Sequence, residues 1–192
     1  MTQVAIVYHS GYGHTARQAG AVLEGAQSVA GVAAKLLSVE KMDDAFWSDL
    51  AAADAVIFGA PTYMGSVSAK FKEFMDASSK PWFTQAWKDK LAAGFTNSAS
   101  QSGDKLNSLV QMMVLANQHG MIWVSLGLPP GNNSSQGSPD DLNRLGSYSG
   151  AMAQSNADQG ADGMRESDLK TAAHLGRRVA ETVLRFGGGN YR

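Results

Sequence analysis

"VAIVYHSGYGHTARQAGAVLEGAQSVA", residues 4–30, sets the class of fold. Its opening, "VAIVYHS" at 4–10, is a nearly continuous apolar run, the pattern of a strand covered on both faces. A turn of glycine, hydroxyl and histidine residues breaks that run. Beyond it Ala16, Ala19, Leu23, Ala26 and Ala30 recur at helical spacing, joined by Val22 and Val29. A buried strand feeding an amphipathic helix through a short turn predicts a sheet with helices on both sides.

The same alternation continues outward. "VAAKLLSV" from Val32 is a weaker strand, and "FWSDLAAAD" a short helix leading into "AVIFGAP" at 55–61, the clearest buried strand. "SAKFKEFMDA" at 68–77 reads as a helix with Phe71, Phe74 and Met75 on one face. "LAAGFTN" at 91–97 is a further strand, followed by a helix through "DKLNSLVQMMVLANQHG" that Gly120 is placed to close in a left-handed cap. "MIWVSLG" at 121–127 is the fifth strand. Residues 128–166 show no sustained period, a length that in a compact domain is functional or disordered, though Leu142, Leu145, Tyr148 and Met152 favour order. A helix at about 167–186 follows, with Ser167 as N-cap and Leu169, Ala172, Ala173, Val179, Ala180 and Val183 as its buried stripe. The closing "GGGNYR" reads as a frayed tail. The expectation is a single α/β domain over 1–192, a doubly wound, five-stranded parallel sheet of flavodoxin-like order 2-1-3-4-5 with helices on both faces.

Composition removes several function classes. In 192 residues, 16 basic and 17 acidic side chains leave a net charge of −1. That speaks against a basic nucleic-acid binder and against a strongly acidic electron carrier. With no cysteine there is no disulfide, thiolate nucleophile or cysteine-ligated zinc, and the 4 histidines lack metal-ligand spacing, so no metal is expected. No apolar run is long enough to span a bilayer, and the run at Val4 has neither a basic leader nor a cleavage-like site. A cytoplasmic protein without membrane or nucleic-acid partners is the expectation.

In such sheets ligands sit at the carboxyl ends of the strands, at the switch point of strand order. Three turns reach it: 9–15, 60–66 and 96–103. The first joins strand to helix, where free N–H groups and the helix dipole favour an anion. Ser10 and Thr15 add hydroxyls, Gly11 and Gly13 permit close backbone approach, and no lysine or arginine lies between residues 8 and 16. "GYGHTA" is not a Walker loop, and alanine stands where a dinucleotide fingerprint has its third glycine. Alone, it reads equally as a plain connection or a phosphate cradle. In the second turn, Gly59, Pro61 and Gly65 shape a tight exit from the strand, Thr62 offers a hydroxyl, and Tyr63 and Met64 offer flat or polarisable surface. The third, "TNSASQSGD", can aim successive N–H and O–H groups at the polar edge of a ring.

A phosphate at the first turn and a planar ring between the other two describe a mononucleotide with a heterocycle, and FMN has that shape. Nearly the whole chain resembles the flavodoxin-like FMN enzymes, and among them the WrbA-type NAD(P)H:quinone oxidoreductases. "YHSGYGHT", "FGAPTYMGSVSAKFKEFMD", the small polar loop after "KLAAGF", "HGMIWVSLG" and the terminal helix carry the resemblance. It implies that Ser10, Gly11, Tyr12, Gly13, His14 and Thr15 bind the FMN phosphate. It implies too that Pro61, Thr62, Tyr63, Met64 and Gly65 lie beside the ring, and that Asn97, Ser98, Ala99, Ser100, Gln101, Ser102 and Gly103 follow its polar edge. Tyr12 and Trp82 match substrate-facing positions. NADH or NADPH as co-substrate, a quinone acceptor and a homotetramer follow from the same resemblance. The chain departs from the family at Tyr63-Met64, where Arg-Phe is common, and at Gln118-His119, where two histidines are common.

The flavin would carry the chemistry, so no obligatory catalytic side chain is expected. One crevice serving both substrates implies a ping-pong cycle. His14 reads as a loop hydrogen-bonder, His119 as a cap on helix carbonyls, His174 as structural, Met112, Met113 and Met121 as core, and Arg144 and Arg165 as solvated. The rival readings are a flavodoxin-type electron carrier and an NAD(P)H-dependent FMN reductase with exchangeable FMN. A phosphate-receiver domain would need acidic residues after the first strand, and "YHSGYGH" has none.

Overall fold

The structure is a computed structural model that describes residues 1–187; of the expected tail at 187–192, Gly187 still belongs to the last helix and the rest lies outside the described residues. The elements run β1 (Thr2–Tyr8), α1 (His14–Gln27), β2 (Val32–Ser38), α2 (Asp44–Ala52), β3 (Ala55–Tyr63) and β4 (Ser66–Val67). They continue with α3 (Ala69–Ala77), α4 (Ser79–Phe83), β5 (Leu91–Ser98), α5 (Lys105–Gln118), β6 (Ile122–Trp123), β7 (Ala151–Gln154) and α6 (Glu166–Gly187). The main path β2-β1-β3-β5-β6 is parallel throughout and reproduces the expected order. Every residue of β5 and all but the last of β3 are buried, as continuous apolar runs require when both faces are covered.

The fifth strand differs from expectation. It pairs with β5 only at Ile122 and Trp123, opposite Leu91 and Ala92. Higher up, Phe95–Ser98 pair instead with β7, inside the segment expected to be irregular. Two short strands therefore share one place in the sheet. The reason is local pairing: Leu126 N–H donates to Tyr148 O and Trp123 Nε1 to Ser149 O, so the outgoing chain bonds its own return path. The intervening loop is held from inside. Asn143 Nδ2 donates to Ser147 O at 2.9 Å, its Oδ1 accepts from Ser147 N–H at 2.9 Å, and its N–H reaches Thr171 Oγ1 at 2.8 Å. Each buried polar group finds a partner without regular structure.

Apolar side chains fill both faces of the sheet. Phe46, Leu50, Phe58, Phe71, Phe74, Trp87, Leu109 and Met112 form the core under α2–α5. Ile6, Val22, Ile57, Phe95, Leu175 and Val179 form the core under α1 and α6. Those two helices touch backbone to backbone: a Cβ on Gly25 would lie 1.8 Å from Ala173 O, and one on Gly176 2.0 Å from Val22 O. No L side chain other than hydrogen fits there, and the contact fixes α1, whose tip faces the switch point. His174 has the expected structural role, its Nε2 bonding Leu126 O at 3.1 Å. Ser167 does not cap α6, which starts one residue earlier; its hydroxyl donates to Pro139 O at 2.8 Å instead. Ala173 is only half-buried, while the rest of the expected stripe is buried. Gly120 closes α5 at φ 67° as expected. Among the described residues no helix is long and apolar enough to cross a membrane.

Candidate functional site

The turns after β1, β3 and β5 meet at the carboxyl edge of the sheet around a crevice of about 630 Å³. Ser10, Tyr12, His14 and Thr15 line it from the first turn, Pro61, Thr62 and Tyr63 from the second, and Asn97, Ser98 and Ala99 from the third. A fourth wall, Ser155, Asn156, Ala157 and Gln159, follows β7. The sequence carries one trace of that wall, the run of small amide and hydroxyl residues "SNADQ", in a segment without sustained period.

In the first turn, Gly13 stands as N-cap of α1 at φ 89°, and no side chain caps the helix. Ser10 Oγ accepts from Gly13 N–H at 3.1 Å, while the first N–H groups of α1 have no protein acceptor within the helix. Gly11 lies directly under the Tyr63 hydroxyl, where a Cβ would meet that oxygen at 2.5 Å. Burial, and after it neighbouring Tyr12, raise the Tyr63 phenol above its ordinary pKa, with the Gly11 backbone acting in the opposite direction. Tyr12 stands edge-on to Tyr63 with ring centroids 6.2 Å apart. His14 is a loop hydrogen-bonder as expected, its Nε2 bonding Gln159 O at 2.9 Å and so joining the first turn to the fourth wall. Behind the turn, buried His9 bonds Ser68 Oγ at 2.8 Å and Glu40 at 3.1 Å.

The second turn supplies the floor. Thr62 Oγ1 lies 2.8 Å from both Thr96 Oγ1 and Ser108 Oγ. Met64 and Gly65, at φ 48° and 77°, are the central residues of a tight hairpin that folds β4 back on β3. That geometry carries Met64 out to full exposure, so neither it nor Gly65 lines the crevice, contrary to the expected place beside Tyr63.

The third turn divides in two. Asn97 Nδ2 donates to Ser155 Oγ at 2.7 Å, leaving Asn97 Oδ1 buried with no partner. Ser100, Gln101, Ser102 and Gly103 turn away from the crevice wall, because the carbonyls of Ser100 and Gln101 are drawn onto Lys105 Nζ at 2.9 and 2.8 Å. Gly103, at φ 57°, lies where a Cβ would sit 2.3 Å from Ser98 Oγ.

Trp82 sits on α4, exposed and edge-on to Phe83, and does not line the crevice. The His119 ring caps no carbonyl, although its backbone N–H bonds Leu115 O at the end of α5. It is buried, stacked on Trp87 at 4.2 Å, with Nε2 on Ser78 Oγ at 2.9 Å. Neither it nor exposed Gln118 reaches the crevice. Arg144 is not solvated: its guanidinium forks onto Asp168 at 2.8 and 2.7 Å, with side chains only 7% and 2% exposed. Arg165 does pair in solvent, with Asp140.

The crevice lies within the roughly 300–1,000 Å³ of small-molecule sites. Its lining carries hydroxyls, amides and aromatic rings but no Lys, Arg, Asp or Glu. An uncapped helix tip at one end and an unpartnered buried acceptor, Asn97 Oδ1, at another fit a phosphate-bearing planar heterocycle such as FMN.

Comparison with known proteins gives the same answer. Residues 14–129 match the family model described as NADPH-dependent FMN reductase. The chain is 48% identical over 183 residues to flavodoxin FldP of Pseudomonas aeruginosa, covering 94% of this chain and 96% of that protein. It is 33% identical to an NAD(P)H dehydrogenase (quinone) of Archaeoglobus fulgidus, covering 95% and 98%. The crystal structure of a flavodoxin, WrbA-like protein from Agrobacterium tumefaciens superposes with a TM-score of 0.77 at 45% identity, covering 96% of this chain and 99% of that one. Sheet order, crevice chemistry and these similarities agree: the chain belongs to the flavodoxin-like family of NADPH-dependent FMN reductases, on its WrbA-type side.

Proposed function

We propose that this FMN-dependent oxidoreductase works in the cytoplasm as an NAD(P)H:quinone oxidoreductase, admitting nicotinamide and quinone to one crevice in turn. Bound FMN would supply the two-electron, hydride-transfer chemistry that links NAD(P)H to the acceptor. The residues around it bind and orient. The α1 tip with Ser10, Gly11, Gly13 and Thr15 holds the phosphate through neutral donors and the helix dipole. Asn97 offers its buried acceptor to a ring N–H, and Tyr63 with Pro61 and Thr62 forms the side against the ring. Tyr12, 80% exposed at the mouth, gives an incoming planar substrate a surface to lie on. One observation carries this reading: a single continuous crevice is lined both by the turn at the uncapped helix tip and by Asn97, whose side-chain oxygen has no protein partner, one seat for an anion and a ring.

The protein should take up FMN, bleach within seconds on anaerobic addition of NADH or NADPH, and regain its colour with benzoquinone. Parallel double-reciprocal lines would mark the ping-pong order. A second reading, an electron carrier, is favoured by the similarity to a protein named flavodoxin. Under it, bleaching by nicotinamide would take hours and the quinone rate would be negligible.

The same reading includes a homotetramer. On α5, Leu106, Val110 and Val114 recur every fourth residue and are 56%, 41% and 51% exposed, an apolar stripe on the face of the helix turned away from the core. Met64 lies at its end, where Asn107 Nδ2 bonds Gly65 O at 2.6 Å. Sedimentation equilibrium should return four chains for the native protein and fewer for Val110→Glu. A native monomer would end the oligomer reading.

A further inference from the structure

The crevice wall has no charged residue of its own, yet one cation stands behind it. Lys105, the first residue of α5, is 1% exposed. Its Nζ donates to Ser98 Oγ at 2.8 Å, Ser100 O at 2.9 Å and Gln101 O at 2.8 Å. All three ammonium protons are therefore spent on one short turn, and Ser98, which lines the crevice, also donates to Ser100 O at 2.8 Å. A trans peptide points its C=O and N–H in opposite directions. Drawing the carbonyls of Ser100 and Gln101 onto Nζ therefore turns the N–H groups of Gln101 and Ser102 away from it. Among the described residues those N–H groups have no protein acceptor. Gly103 lets the loop close tightly against Ser98, and the turn becomes a small ring of peptides wound around a buried charge.

We propose that Lys105 is a positioning residue: it shapes the 98–103 turn and holds a positive charge behind the crevice, so that the more negative, reduced form of FMN is bound more tightly than the oxidised form. This rests on the FMN reading above. The physical ground is that a charge screened by protein rather than water acts strongly at short range. Among the described residues no other lysine or arginine hydrogen-bonds the turn; Asp168 and Arg144 are near enough to act on Lys105, with opposite sign. Burial brings its ammonium down to a pKa of about 8, leaving it largely charged at neutral pH.

Lys105→Met, which keeps the length and removes charge and donors, and Lys105→Gln, which keeps a donor, separate the two effects. Amide hydrogen exchange at residue 105, whose N–H donates to Ser102 O at 3.2 Å, should quicken about tenfold in FMN-free Lys105→Met, with global circular dichroism unchanged. With FMN bound, the ratio of reduced to oxidised affinity should fall about tenfold in both variants, read as a midpoint potential about 30 mV lower for a two-electron couple. If Lys105→Met does not fold, Lys105→Gln carries the potential measurement and Ser98→Ala the exchange measurement. FMN-loaded variants with unchanged potential overturn the electrostatic role, and unchanged exchange overturns the shaping role. A native protein that takes up no FMN overturns the proposed function and the flavin half of this inference together, while exchange alone still decides whether Lys105 shapes the turn.

Discussion

Replacing Asp168 with alanine is expected to cost about 3–5 kcal/mol of folding stability, the range for stranding one partner of a buried ion pair. Asp168 sits in the first turn of α6 and is 2% exposed. Its two oxygens take the fork of Arg144, and Oδ2 also accepts Gln154 N–H at 3.0 Å. Removing the carboxylate leaves a buried guanidinium unpaired and a strand N–H unsatisfied. The loss should not stay local. Gln154 ends β7 and its Nε2 donates to Ala99 O at 2.9 Å, and the next residue, Ser155, donates its N–H to Ser98 O and its hydroxyl oxygen receives Asn97. One carboxylate thus anchors the fourth wall to the third turn. FMN affinity is expected to fall about tenfold, near 1.4 kcal/mol, alongside the lower urea midpoint. Arg144→Met with Asp168→Leu should regain much of the stability, because two apolar side chains strand no charge. A urea midpoint for Asp168→Ala within error of the native one would refute this account.

Acid should destabilise the protein through His119. Ser78 Oγ donates its only proton to Met75 O at 2.7 Å, so at His119 Nε2 it accepts, and the imidazole is the Nε2–H tautomer. Nδ1 is buried with no partner. Protonating it would put an unpaired N–H and a full charge inside the core, so burial lowers the pKa from 6.5 to about 4. Between those two values the unfolded chain binds the proton and the folded chain does not. The stability this histidine contributes is therefore complete above pH 6.5 and is lost progressively as pH falls to about 4, roughly 3 kcal/mol in all. Denaturation midpoints between pH 7 and pH 4 should fall accordingly in the native protein and much less in His119→Phe, which keeps the stack on Trp87. Parallel pH profiles for the two proteins would remove His119 as the source.

Much of the molecule was legible along the chain because periodicity is a local property. The alternation of "VAIVY", "AVIFGAP" and "LAAGF" with amphipathic helices predicts the sheet and its order, and the sheet order predicts where the three turns converge. What escaped were pairings between residues far apart in sequence. Arg144 and Arg165 look alike in isolation; only the arrival of α6 buries one of them against Asp168. His119 stands at a helix end where histidines often cap carbonyls, but Trp87 and Ser78 claim it first. The family resemblance implies a place for Met64 beside the ring, but a hairpin turn with positive φ at two residues carries it into solvent.

By itself, then, the order of residues determined the α/β class, the parallel strand order, and the small uncharged groups gathered at the first three turns. Only the tertiary structure decided that β7 would complete the fifth strand position, that 155–159 would wall the crevice, and that Lys105 would lie buried behind it. Propensity and hydrophobic period act over a few residues. The burial of a charge, and the partner that makes it tolerable, exist only once distant segments have closed around it.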